Sequence, residues 1–282
     1  MSETLTDLWG EHATVYDRVY APLTGYIARS LLALTDARLP ASARMLDIAC
    51  GSGALLLPAI ERVRRRRQTG GQDFVIGCDY SPGMVALAQR KVGVDDAVFR
   101  CEVQNGQALS YEDASFDAAY SCFGIFLFED RKAGWREAAR VLKPGGLFGT
   151  STWFAPEHNE MFRAQFQPIM EALPERLKSG PPPSGWLEVA DAQRLQSEVA
   201  EAGFRSVDVR TFQTRFVLPS IETAWNAALD NPGSGVLLKE CTASEQEVLK
   251  ERFFASLEPH AAGPDRALML EASCNLLTAV RA

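Results

Sequence analysis

Met45-Leu46-Asp47-Ile48-Ala49-Cys50-Gly51-Ser52-Gly53 is the stretch on which the reading of this chain turns. A short apolar run ends in a Gly-x-Gly turn, and an apolar helical pattern follows from Ala54 to Val63. The order is strand, tight turn and helix. Glycine at 51 and 53 lets the backbone come close to a ligand where a side chain would stand in the way. The start of the following helix offers unpaired N–H groups, suited to a carboxylate or a phosphate. The stretch therefore predicts a site for a nucleotide-type cofactor.

Outward from it the same alternation continues. Strands are expected at 45–49, 74–79, 98–103, 116–121 and 146–153, with helices at 53–66, 83–91 and 130–142. Apolar strands alternating with helices predict a parallel sheet covered on both faces. Lys143-Pro144-Gly145-Gly146 is a helix stop, a lysine followed by proline and glycine. Residues 1–40 read as helical, with Trp9, Val15, Tyr16, Val19 and Tyr20 at helical spacing, and form an N-terminal cap. The cofactor-binding core is expected over 41–153, and 154–282 adds substrate-covering helices and C-terminal strands to the same domain. In that last region helices are expected at 158–172, 191–202, 221–229 and 244–257, around a strand at 207–218. Pro181-Pro182-Pro183-Ser184-Gly185 reads as a loop or hinge. Leu268, Leu270, Leu276, Leu277 and Val280 fit no single period, and a final strand is the preferred reading of 267–280.

Composition narrows the function. The net charge of −7, from 29 basic and 36 acidic residues in 282, argues against a nucleic-acid partner. The run Arg64 to Arg67 closes a predicted helix, where cations complement the dipole, and is read as a solvated helix end rather than an RNA contact. The six cysteines form no Cys-x-x-Cys pair, so zinc spacing is absent and no metal is expected. Scattered strand cysteines suit a reducing cytoplasm. No apolar run approaches the ~18 residues of a membrane span, and no secretory pattern opens the chain. The expected partner is a small molecule, and the expected state a monomer or homodimer.

Two features locate the cofactor without naming it. The second strand, Phe74-Val75-Ile76-Gly77-Cys78-Asp79, ends in an acid able to accept hydrogen bonds from ribose hydroxyls. The next helix opens with Ser81-Pro82, an N-cap and a first-turn proline. Nicotinamide and S-adenosylmethionine sites share both. A dinucleotide fingerprint, however, needs a third glycine where this chain has Leu56. Asp47, two residues before the turn, is an acid where an adenosylmethionine site uses one.

With Ser115-Phe116-Asp117 and Arg140-Val141-Leu142-Lys143-Pro144-Gly145-Gly146 in register after these, residues 45–153 resemble the class I S-adenosylmethionine-dependent methyltransferases, of the type-11/UbiE-like small-molecule group. Ala49 stands where that family's first motif usually has glycine, a change the turn could tolerate. The resemblance implies an α/β, Rossmann-like fold. Its seven-stranded, mostly parallel sheet would carry helices on both faces, an N-terminal helical cap, and helical insertions after the fifth strand. It implies S-adenosyl-L-methionine as cofactor, leaving S-adenosyl-L-homocysteine as product. Asp47, Ala49, Cys50, Gly51 and Gly53 would hold the methionine half, bordered by Ser121 and Cys122, with Tyr16 at the cofactor carboxylate. Asp79 and Tyr80 would lie at the ribose, and Met84 against the adenine. Asn105, Gly106 and Gln107 match the segment that takes the adenine amino group. The usual acid there is replaced by Asn105, whose amide oxygen can still accept.

Methyl transfer from a sulfonium is a direct displacement from a good leaving group. Alignment can lower the barrier by about 7–11 kcal/mol, and a base adds about 10²–10⁴-fold only where the nucleophile must lose a proton. His158 and His12 are the base candidates, with an ordinary polar position as the alternative for His158. Tyr20, Phe123, Phe126, Trp153, Trp186, Trp225 and Asn226 are the expected acceptor walls, with core packing as the alternative for the aromatics. Such walls suit a small, partly apolar acceptor, such as a secondary-metabolite, quinone-like or phenolic molecule, with O, N, S or C as nucleophile. Two other readings stand beside this one. One is an RNA or protein methyltransferase, and the other is a methyltransferase-fold protein that binds the cofactor without transfer.

Overall fold

The computed structural model describes residues 7–93, 97–178, 187–231 and 234–282. Trp186 and the proline-rich segment at 181–185 lie outside the described residues. The strands are β1 (Arg44–Ile48), β2 (Phe74–Asp79), β3 (Phe99–Val103), β4 (Phe116–Cys122), β5 (Leu142–Trp153), β6 (Phe204–Leu218), β7 (Ala261–Ala262) and β8 (Ala267–Arg281). Seven lie in the order β3-β2-β1-β4-β5-β8-β6, and the two-residue β7 pairs with β8. β1 to β5 run parallel, while β8 is antiparallel to both β5 and β6. The order reverses direction between β1 and β4, and a parallel sheet of this kind binds ligands beyond the carboxyl ends at such a point.

The 267–280 stretch is a strand, as preferred. Its ambiguous period has a physical cause: residues from Ala272 to Val280 are all buried, because β8 lies between two strands and is covered on both faces. Several boundaries differ from expectation, β6 beginning at Phe204 rather than 207 among them, and two of them lie in the cofactor-binding core. The first core helix spans Leu56–Gln68 rather than starting near 53, because Ala49, Gly51 and Gly53 all take positive φ and keep 49–55 in turns. β5 begins at Leu142 rather than Gly146. Leu142 pairs with Phe116 and Leu147 with Ala118, so residues 143–146 bulge out of the ladder.

The N-terminal helices are Leu8–Glu11, Ala13–Val19 and Ala21–Thr35. The last of these packs Ile27, Ala28, Leu31 and Leu32 into the sheet and binds Thr35 Oγ1 to the Tyr120 hydroxyl at 2.7 Å. It is thus a covering layer of the core. The two shorter helices pass over the carboxyl edge of the sheet toward helix Pro82–Val92.

Candidate functional site

Asp47 lies at the end of β1 with no exposed surface, and neither carboxyl oxygen makes a well-formed hydrogen bond among the described residues. Burial, then neighbouring Cys101 and Asp79, push its carboxyl well above the usual range, against a weaker pull from the Leu56 N–H. A buried acid without a full set of partners is costly and needs a reason. Directly after it the chain turns through Ala49 (φ +58°), Gly51 (φ +54°) and Gly53 (φ +96°). A Cβ at Gly51 would meet nothing within 4 Å, so open space faces the loop there. Cys50 is buried with its sulfur 3.7 Å from that of Cys101, and that contact, then burial, pushes its thiol well above the usual range. The loop thiol is packing, not a nucleophile.

Asp79 closes the loop from the neighbouring strand. Its carboxylate accepts from Gly51 N at 2.8 Å and from Ser81 N at 2.9 Å. Burial lifts its pKa, the Ser81 and Gly51 amides pull it down, and the charge of Asp7 adds to the lift. Ser81 caps the helix by accepting from Met84 N, and Met84 is buried at its first turn. Tyr80 presents its ring to solvent, 64% exposed, beside the acid.

Beyond β3, Asn105 Oδ1 accepts from Gln107 N at 3.0 Å, so the oxygen expected to face an adenine amine already closes an Asx turn. The Gln107 carboxamide is turned to Asp130 N, and Gly106 is buried beneath the Phe128 ring. At the end of β4 the buried Ser121 hydroxyl accepts from Ile125 N, and Cys122 donates to Thr24 O at 3.6 Å. Burial pushes the Cys122 thiol up to about 12. Phe123 has φ +57° and stacks on Trp153 at 4.1 Å, with Phe126 edge-on at 6.5 Å. These three aromatics form one cluster near the carboxyl ends of β4 and β5, with Phe123 and Phe126 buried in the core.

The cap supplies the opposite side. Burial drives the Tyr16 phenol far up, Cys122 and Asp79 add to this, and a hydrogen bond with Thr24 opposes it. Tyr16 is therefore within the electrostatic reach of both strand ends. A ladder of rings runs Trp9, Tyr16, Tyr20, Phe216, with centroid spacings of 5.8, 5.7 and 5.6 Å. His12 is half-buried at the junction of the first two helices. The other expected residues are dispersed. His158 is exposed on a one-turn helix, 6.1 Å from the Phe154 ring. Trp225 is buried edge-on to Phe253, and Asn226 beside it faces solvent.

Sequence reasoning missed three residues here: Asp7, Thr24 and Lys91. Asp7 carried a readable signal, an N-cap acid before a helical run. The other two contact the site only through tertiary packing.

A family model described as a methyltransferase domain matches residues 45–146. An uncharacterised protein of Mycobacterium tuberculosis is 29% identical over 155 residues, 54% of this chain and 51% of its own length. The chain thus spans about half the length of the mycobacterial relatives it matches. The demethylmenaquinone methyltransferase of Deinococcus radiodurans is 32% identical over 172 residues, 58% of this chain and 68% of that enzyme. The chain belongs to the class I S-adenosylmethionine-dependent methyltransferases. Among solved structures, the YcgJ protein of Bacillus subtilis superposes with a TM-score of 0.53 at 17% identity, over 91% of this chain and 98% of its own. The cyclase SpnF shares the fold at 0.51 and 18%, over 90% and 81%. The methyltransferase cofactor fits the residues present. The loop leaves room above Gly51, Asp79 keeps lone pairs beyond the two it spends on amides, and buried Asp47 lies beneath that loop.

Proposed function

We propose that this protein transfers a methyl group from S-adenosylmethionine to a small, partly apolar acceptor. The observation that carries this reading is the Asp79–Gly51 contact between the carboxyl ends of β2 and β1, beside open space over the glycine loop. When bound, the cofactor supplies an electrophilic methyl on a good leaving group. The chain would do the rest by placement. Ala49, Cys50, Gly51 and Gly53, supported by Asp47, hold the methionine half, with Ser121 and Cys122 alongside. Asp79 grips the ribose hydroxyls, and Tyr80 and Met84 flank the adenine side with Asn105, Gly106 and Gln107. Tyr16 offers its hydroxyl to the cofactor carboxylate. Tyr20, Phe123, Phe126 and Trp153 exclude water and give an acceptor flat apolar walls. His12, on the cap, is the base candidate that remains beside the site, and it takes a proton only where the nucleophile carries one.

Relatives active on demethylmenaquinone support a quinone-like or phenolic acceptor. Among the described residues no helix is long and apolar enough to cross a membrane. The decisive experiment offers methyl-labelled cofactor with quinones, phenols, total tRNA and cell protein. Label is expected in a small molecule. Label in RNA or protein alone would overturn the acceptor class, and cofactor binding without label anywhere would favour a non-transferring role. Asp79→Ala should weaken S-adenosylhomocysteine binding by about 1.5–3 kcal/mol through lost charged hydrogen bonds; unchanged calorimetric affinity would contradict the ribose role.

A further inference from the structure

The N-terminal cap is tied at both ends to a single helix. Asp7 accepts from Gly10 N at 2.8 Å within its own short helix, and from Gly83 N at 3.0 Å at the start of helix Pro82–Val92. A Cβ on Gly83 would lie 2.5 Å from Gly10 Cα, so the two backbones touch there. At the far end of the same helix, Lys91 Nζ donates to Asp17 of helix Ala13–Val19 at 2.5 Å. The same ammonium donates to the carbonyl of Ser52 at 2.9 Å. The cap therefore lies along this helix from its first turn to its last, and its second anchor is shared with the glycine loop.

The loop is held on two sides. Gly51 gives its N–H to Asp79, and the next residue, Ser52, gives its carbonyl to Lys91. An ammonium carries three donors, so one group can serve the cap carboxylate and the loop carbonyl together. The Lys91 and Asp17 side chains are 28% and 25% exposed. In such partial shelter a charge-assisted hydrogen bond is worth more than an exposed surface pair.

The geometry points to Lys91 as a positioning residue that, with Asp17, couples docking of the N-terminal cap to the shape of the glycine loop. It acts through the Ser52 carbonyl rather than by touching a reacting atom. The inference rests on the loop being the cofactor site, but the coupling itself is a property of the cofactor-free chain. Loss of the ammonium frees both the cap helix and the loop, whereas loss of Asp17 frees the cap first.

Hydrogen exchange of the cofactor-free protein, with calorimetric titration of S-adenosylhomocysteine, tests this on the wild type, Lys91→Met, Lys91→Arg and Asp17→Asn. Lys91→Met should speed exchange in both 13–19 and 50–55 and weaken S-adenosylhomocysteine about tenfold, the scale of one charge-assisted hydrogen bond. The KM for S-adenosylmethionine should rise with kcat at saturation little changed. Lys91→Arg should restore most of the affinity, and Asp17→Asn should act in the same direction but less. Faster exchange confined to 13–19, or wild-type affinity in Lys91→Met, would overturn the coupling. A wild type that binds no S-adenosylhomocysteine would sink the cofactor reading instead, and the exchange comparison would still decide the coupling.

Discussion

Ala49 holds a backbone conformation that favours glycine. At φ +58° its Cβ crowds the following carbonyl, a cost of about 1–2 kcal/mol. Phe123, at the end of the neighbouring strand β4, has φ +57°, so two adjacent strand ends carry non-glycine residues in the left-handed region. Strain of this kind persists where surrounding structure holds it; Ala114 and Arg266 carry it too, in turns outside the site, as does Ser206 at the bulge in β6. Ala49→Gly removes the crowding but loosens the unfolded chain, which costs back about 0.4–1 kcal/mol. The net expectation is a gain of about 0.5–1 kcal/mol, seen as a rise of about 2 °C in thermal midpoint. The Ala49 methyl also approaches Gly124, where an added Cβ would come within 2.5 Å of it. A fall in midpoint would mean that this packing outweighs the strain. The departure from the family's glycine was readable in the sequence, but the conformation it must adopt was not.

Elements were legible in proportion to how local their signals are. Strand β2, helix Pro82–Val92 and helix Ile221–Leu229 carry caps, periods and stops within their own length. Ser115-Phe116-Asp117 and the motif from Arg140 to Gly146 were recognisable as a set, and the structure shows why they travel together. Asp117 accepts from Lys143 Nζ at 2.7 Å and from Arg44 N at 2.9 Å, tying β5 to β4 and β1. Arg140 donates to the carbonyls of Leu109 and Tyr111 and to Asp113 and Glu137, while Glu137 accepts from Leu109 N. This fastens the segment between β3 and β4, which includes the far end of the Asn105–Gln107 region. Arg140→Ala should cost about 2 kcal/mol, because the carbonyls it serves lose a charged donor. Urea unfolding should show the loss, and hydrogen exchange should show 105–113 opening ahead of the sheet. Uniform exchange across the core would contradict a local fastening. The cap contacts were illegible for the opposite reason. Asp7 to Gly83 and Asp17 to Lys91 join residues more than 70 positions apart, and no spacing rule reaches that far.

At the scale of the whole molecule, the region after β5 is joined to the core through the β5–β8 ladder, and one buried acid adds a side-chain link. Glu198, in helix Ala192–Glu201, is 3% exposed and accepts from Arg131 Nε at 2.9 Å and Nη2 at 2.8 Å, and from Arg194 Nε at 2.9 Å. Burial alone would raise its pKa, but hydrogen bonds from Arg131 and then Arg194 hold it down to about 2, from an ordinary 4.5. A carboxyl depressed on folding contributes stability that is complete above the unfolded value and is lost as pH falls toward the folded one. The window is therefore pH 4.5 down to about 2. Asp47 and Asp79 act with the opposite sign, since their raised values make the folded state hold protons more readily as pH falls. The Glu198 contribution should be complete above pH 4.5 and fall progressively from there toward pH 2, because the unfolded carboxyl takes up a proton while the folded one does not. Glu198→Gln leaves Arg131 poorly paired and should cost about 3 kcal/mol at pH 7. Protonation of the unfolded carboxyl below pH 4.5 removes the wild-type advantage while Glu198→Gln has none to lose, so the gap between the two urea midpoints should narrow steadily from pH 4.5 toward pH 2. A gap that stays constant across that range would show that Glu198 contributes through packing rather than through its charge.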